Sequence, residues 1–155
     1  MTDAIVPFGG EIRKGRHYLK IRVYYEDTDV GGVVFYANYL RFLERGRSDF
    51  LRSLGIDQRA LMECDGGEAL TFVARRCVID YLKPARFDDV IEVVTWLAEA
   101  RGASAIMAQE VRRDGVCLAA ARVTIAVTGK AGRPRPLPRS LRHIFNTLVC
   151  SDEPS

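Results

Sequence analysis

Between Tyr18 and Tyr25 the polar residues Lys20 and Arg22 alternate with apolar neighbours, which is the period of a half-buried strand. The period then changes. From Asn38 to Leu54 the positions Tyr39, Leu43, Gly46, Phe50 and Leu54 recur at three- and four-residue steps, while Arg41, Glu44, Arg45, Arg47, Asp49 and Arg52 mostly face elsewhere. This predicts an amphipathic helix of about five turns, with Asn38 as its N-cap and Gly55 as its stop. Gly46 inside it costs roughly 1 kcal/mol against Ala, so a close approach of the helix to a sheet is expected there. A short helical piece follows at Gln58–Glu63, then a break at Gly66-Gly67.

The remainder reads as strands. Segments 70–82, 89–99, 103–113 and 116–128 are rich in Val, Ile, Thr and aromatic residues, and are punctuated by Pro84, Arg101-Gly102 and Asp114-Gly115, the last a tight-hairpin signal. Consecutive strands without crossover helices cannot form a doubly wound parallel sheet. The expected fold is α+β: an antiparallel five-stranded sheet wrapped around one long helix. Lys130–Pro138, with three prolines near its end, is expected to be extended, and Ser140–Asn146 to be a short helix capped by Ser140. Residues 1–16 read as an N-terminal extension, 17–146 as the domain and 147–155 as a disordered tail.

Between the first strand and the long helix lies Tyr24-Tyr25-Glu26-Asp27-Thr28-Asp29-Val30-Gly31-Gly32-Val33-Val34-Phe35-Tyr36-Ala37-Asn38-Tyr39. Three carboxylates, a glycine pair and a helix N-terminus place an acid or nucleophile beside a site for developing negative charge. The same residues also suit ordinary turn chemistry, in which Asp and Asn bond local amides and Gly supplies positive φ. Spacing leaves both readings open. Calcium is set aside, because in an EF-hand register starting at Asp27 position 5 is Gly31 and position 12 is Asn38.

This run resembles the signature of the 4-hydroxybenzoyl-CoA thioesterase branch of the hotdog-fold acyl-CoA thioesterases, and within it the Tol-Pal-associated type. The similarity extends to Glu44-Arg45-Gly46-Arg47, Phe72-Val73, Val78-Ile79, Tyr81 and Pro84-Ala85-Arg86-Phe87-Asp88-Asp89. It implies a hotdog fold and hydrolysis of an acyl-CoA, without a cofactor. Asp29 is then the catalytic carboxylate, as nucleophile or as general base, and the backbone amide of Tyr36 the oxyanion donor. Tyr36 stands where Tol-Pal-associated members commonly carry His, which leaves a main-chain role intact and removes a His side-chain role. Gly32, Val33, Asn38 and Glu44 are supporting residues on the same resemblance, with Glu44 and Arg47 expected to pair as ions and Glu26 and Asp27 to serve the turn. Arg75, Arg76, Lys83 and Arg86 are candidate contacts for the anionic CoA. The resemblance also implies a homodimer or homotetramer, with the site between subunits. The competing function is a non-catalytic hotdog subunit that holds an acyl carrier protein or a cell-envelope (Tol-Pal) assembly partner. A hotdog dehydratase would need a His in the loop, and none lies between residues 18 and 142.

Composition narrows the classes further. The chain has 155 residues, 48% of them apolar, enough for one core. A net charge of +3 from 23 basic and 20 acidic residues argues against a nucleic-acid protein. No apolar run reaches the roughly 18 residues of a membrane span, and the N-terminus lacks a signal-peptide core, so a cytoplasmic location is expected. Cys64, Cys77, Cys117 and Cys150 lack CxxC spacing and read as reduced thiols; His17 and His143 read as surface residues.

Overall fold

The computed structural model describes residues 9–63 and 69–150. Cys64 and the expected break at Gly66-Gly67 lie outside the described residues. Strands β1 (Glu11–Arg13), β2 (Arg16–Arg22), β3 (Thr71–Tyr81), β4 (Val90–Arg101), β5 (Ser104–Arg113) and β6 (Val116–Thr128) form one antiparallel sheet in the order β1-β2-β4-β5-β6-β3. Helix α1 (Tyr39–Ser53) packs against it, α2 (Gln58–Met62) follows, and α3 (Arg139–Leu148) closes one end. This is the hotdog arrangement.

The sheet has six strands, one more than expected. The extra one, β1, is three residues long and has no periodic pattern of its own; Lys14 and Gly15, both at positive φ, turn it back onto β2. The expected extension is therefore partly sheet. At the other end α3 runs on to Leu148 and the Cys150 amide donates to the Leu97 carbonyl, so the tail expected from 147 is still attached there. Residues 151–155 lie outside the described residues.

Two helix-cap expectations need correction. The Asn38 side chain makes no cap bond because it donates to Asp27 instead, and α3 begins after Pro138, with no side-chain cap from Ser140. Gly55 does stop α1, at φ 82°. The proline-bearing stretch opens with a turn at Lys130–Gly132 before it becomes extended.

The buried face of α1 is set by its period. Tyr39, Phe42 and Leu43 join Val23, Ile91, Val93, Val111 and Leu118 in one half of the core. Phe50 and Leu51 join Leu97, Met107, Ile125 and Phe145 in the other. Fully burying an apolar side chain of this size stabilises by about 1.5–3 kcal/mol. Between the halves Gly46 meets the sheet so closely that a Cβ there would lie 2.6 Å from Val93 Cγ1. That is the close approach the glycine implied. Beside it the buried Gln109 amide donates to the Leu43 carbonyl and to Thr95 Oγ1, both at 2.9 Å.

Asp49, expected on the polar face, is buried. It sits against His17, which is buried as well, contrary to the surface reading. His17 Nε2 lies 2.7 Å from Asp49 Oδ2, which also accepts from the Gly10 amide at 2.7 Å, while Arg52 donates to Oδ1 at 2.9 Å. Burial lowers the His17 pKa below its ordinary value, more than Asp49 raises it. Burial alone would raise the Asp49 carboxyl; the Gly10 amide, His17 and Arg52 reverse that and hold it low. The neutral Nε2–H tautomer fits this site, because it donates to the carboxylate and leaves at Nδ1 only an unpaired acceptor rather than a buried, unpaired N–H.

Candidate active site

The acidic loop leaves β2 and returns to the N-terminus of α1 through three hydrogen-bonded steps. A 3₁₀ turn at Tyr25–Asp27 places Asp27 inward, where its carboxylate accepts from the Tyr24 amide and from Asn38 Nδ2, both at 2.8 Å. The Asp27 carbonyl takes the Phe35 amide at 3.1 Å, and Thr28 bridges to Val34. Asp27 thus ties the start of the loop to its end. This is the turn role expected of it.

Asp29 points the other way and is exposed. Its backbone forms a tight loop, with its amide on the Val33 carbonyl at 2.9 Å and its carbonyl accepting from Gly32 at 3.1 Å; Gly32 carries the positive φ of 77°. Its Oδ1 accepts from the Gly31 amide at 2.8 Å and the Val33 amide at 3.4 Å. Its Oδ2 has no partner among the described residues. A carboxylate oriented through one oxygen presents the other to whatever enters the site.

A second 3₁₀ turn, Tyr36–Asn38, leads into α1. The first amides of such a turn have no partner within it, and the Tyr36 N–H has no acceptor among the described residues. The Tyr36 carbonyl accepts from Tyr81 Oη at 3.0 Å, which ties the helix start to the end of β3. The Tyr36 ring is 64% exposed and stands edge-on to Tyr81. Tyr39 is buried beneath them, with the Ala85 amide donating to its hydroxyl at 3.2 Å. One loop therefore carries a half-free carboxylate and a helix N-terminus with an open donor, an arrangement suited to acyl transfer.

A profile of the thioesterase superfamily matches residues 31–120, more than half of the chain. The chain belongs to this superfamily. The thioesterase is 39% identical over 130 residues to the acyl-CoA thioesterase YbgC of Haemophilus influenzae, covering 83% of this chain and 93% of that one. It is 41% identical over 123 residues to the acyl-CoA thioester hydrolase YbgC of Escherichia coli O157:H7, covering 78% and 89%. Among solved structures, a probable thioesterase from Bartonella henselae matches with a TM-score of 0.76 and 40% identity, over 79% of this chain and 99% of that one. The protein is a thioester hydrolase.

Of the expected basic residues, Arg86 adjoins the loop, Lys83 follows β3, and Arg75 and Arg76 lie along β3. Arg86 joins the loop through backbone contacts: Val33 bridges to Arg86, and the flanking residues Ala85 and Phe87 bond Val34 and Gly32. Lys83 follows the end of β3, its amide on the Leu118 carbonyl. Arg75 and Arg76 sit at the β3 bulge. Arg76 is five residues back from Tyr81, which is roughly 17 Å along a strand. Glu44 and Arg47 do not form the expected ion pair: Ser48 donates to Glu44 at 2.6 Å, and Arg47 reaches Gln109 Oε1 at 3.1 Å. Inward-facing Gln109 supplies the alternative. Sequence reasoning missed Gln109 and the His17–Asp49 pair, and gave Tyr81 a place in the resemblance but no role. For Gln109 the signal was there, a lone amide in register with Ala105, Met107 and Val111.

Proposed function

We propose that this thioesterase hydrolyses acyl-CoA thioesters, with Asp29 as nucleophile or general base and the Tyr36 amide as oxyanion donor. The observation that carries the reading is the pairing, in one braced loop, of a carboxylate whose Oδ2 and an amide whose N–H have no partner among the described residues. Attack on the thioester carbonyl, by Asp29 itself or by a water it deprotonates, puts negative charge on the carbonyl oxygen, and the Tyr36 N–H and the positive end of the helix stabilise that charge. Collapse expels the CoA thiolate, which takes up a proton. If Asp29 attacked, water then hydrolyses the mixed anhydride to free acid and regenerates the carboxylate. The YbgC relatives, named for acyl-CoA hydrolysis, support this substrate class.

The site is open to the surface, and the apolar side chains around it, Phe35, Tyr36, Tyr81 and Phe87 among them, are exposed. β3 is an edge strand of 11 residues whose outer side pairs with no other strand among the described residues. Such edges are normally paired or covered. A second copy added along β3 would continue the sheet and wall the site, so the active form is proposed to be a homodimer or a homotetramer built from it.

Asp29→Asn keeps the shape of the side chain and removes its charge, so hydrolysis of a panel of short, long and aromatic acyl-CoAs should fall to near background. Tyr36→Phe, which leaves the amide in place, should change kcat modestly. Near wild-type kcat in Asp29→Asn would refute the assigned carboxylate. A loss beyond about a hundredfold in Tyr36→Phe, the scale of one oxyanion donor, would show that the phenol takes part.

A further inference from the structure

Between α1, from Leu40 one turn beyond Tyr36, and β3, at Cys77 four residues before Tyr81, lies a groove of ≈ 490 Å³. Leu40, Ala74, Cys77 and Val123 give it apolar walls, and Arg47 lines its inner reach. Beyond Arg47 and Ala74 a smaller cavity of ≈ 80 Å³ continues between Leu51, Phe72, Met107 and Ile125. Arg47 therefore stands where an apolar passage would otherwise run on. The helical rise from Tyr36 to Arg47 is roughly 16 Å, and an arginine on a helix leans back toward the N-terminus, which shortens the free length.

Arg47 is unusual for a cation. It is half-buried, and burial depresses its pKa despite the nearby Cys77 and Glu44. One N–H is held by Gln109 Oε1 at 3.1 Å, and Gln109 is itself fixed by Leu43 and Thr95. Among the described residues Arg47 forms no ion pair with a carboxylate, and Glu44, one turn back on α1, accepts from Ser48. The other Arg47 N–H groups have no acceptor among the described residues. Arg41 and Arg45 line the same groove, so cations outnumber its single acid, Glu44. An immobilised, partly desolvated guanidinium in apolar walls favours an anion and penalises a methyl group.

We infer that Arg47 is a specificity-determining residue that receives the far end of the acyl group and selects acyl chains ending in a carboxylate over alkyl chains of equal length. The inference rests on the acyl-CoA reading of the Asp29 loop and names the substrate class for it. Arg47 takes no part in bond breaking.

The probes are non-hydrolysable CoA thioethers, S-alkyl and S-(ω-carboxyalkyl), matched at four, six, eight and ten carbons, with binding measured by calorimetry. At the length that fits, the wild type should bind the carboxylate form about tenfold more tightly, the scale of one charge-assisted hydrogen bond. Arg47→Met, of similar length and without charge, should abolish the preference and retain alkyl binding; Arg47→Lys should keep part of it. The inference is overturned if the wild type shows no carboxylate preference at any length, if neither thioether binds, or if Arg47→Met keeps the preference. Should Arg47→Met fail to melt cooperatively, the wild-type and Arg47→Lys series decide. Hydrolysis of the matching thioesters separates the two readings: discrimination without turnover sinks the hydrolytic assignment alone, and turnover without discrimination sinks only the role of Arg47.

Discussion

Replacing Gly46 with alanine tests how tightly α1 is seated on the sheet. In an exposed helix the change would stabilise by roughly 1 kcal/mol. Here the new methyl would lie 2.6 Å from Val93 Cγ1, 3.0 Å from Thr95 Oγ1 and 3.1 Å from Gln109 Nε2. Val93 is fully buried and β-branched, so its methyl cannot swing aside without leaving its rotamer. Overpacking of this kind costs about 1–3 kcal/mol, and disturbing one Gln109 hydrogen bond adds about 1 kcal/mol. Net of the propensity gain, Gly46→Ala should destabilise by about 2 kcal/mol and lower Tm by about 4–8 °C for a chain of this size. Thermal melts at fixed protein concentration would measure it. The cause can be isolated with Val93→Ala, which removes the clashing methyl: Gly46→Ala should cost at least about 1 kcal/mol less in that background than in the wild type. A Gly46→Ala variant as stable as the wild type, or an equal cost in both backgrounds, would refute the close-contact argument.

Other outcomes follow from the same structure. Asp27→Asn sets an amide N–H₂ against the Tyr24 amide or Asn38 Nδ2, so it should lower stability by about 1–3 kcal/mol in thermal melts, whereas the exposed Asp29→Asn should melt as the wild type does. His17 is held below its ordinary pKa, so the unfolded chain takes up a proton near pH 6.5 that the folded chain refuses; stability should fall as pH drops below about 6.5, and again below about 4 as the low-lying Asp49 carboxylate protonates. Urea midpoints at pH 7.5 and 5.5 check the first step. His17→Gln should lose less stability across that interval than the wild type, and an equal or greater loss would refute the assignment. Size exclusion with light scattering should give an active species of at least twice the 17.4 kDa chain mass; full activity in a monomer would exclude a site walled by a second copy.

The regular elements were legible because their periods are set by residues close in sequence. Tyr39, Leu43, Gly46 and Phe50 mark the buried stripe of α1, and the Val- and Ile-rich runs bounded by Arg101-Gly102 and Asp114-Gly115 mark β4, β5 and β6. What stayed hidden depends on partners far along the chain. β1 has only three residues and exists because Lys14-Gly15 can turn at positive φ. His17 is buried because Asp49, 32 residues later, receives it. Arg47 turns from Glu44 to Gln109, 62 residues later, where a fixed acceptor already faces it. Helix spacing makes Glu44 and Arg47 neighbours in the right order for pairing, but such exposed pairs are worth only a few tenths of a kcal/mol and a better acceptor easily displaces them.

The two aspartates of the loop show how residues two positions apart come to differ in role. Asp27 ends a 3₁₀ turn where the Tyr24 amide and the Asn38 side chain converge on it, and both its oxygens are used in holding Tyr24 to Asn38. Its carboxylate is buried and fully engaged, so it has nothing left with which to meet a substrate. Asp29 lies across the turn, where Gly32 at positive φ lets the backbone double back and, among the described residues, only one oxygen is held. On the proposed reading of the site, Asp29 is aimed only while the buried Asp27 keeps the loop closed onto the start of α1. Asn38 belongs to this pairing rather than to helix capping: a cap bond would satisfy one local amide, whereas its bond to Asp27 couples the loop that carries the carboxylate to the turn that carries the Tyr36 amide.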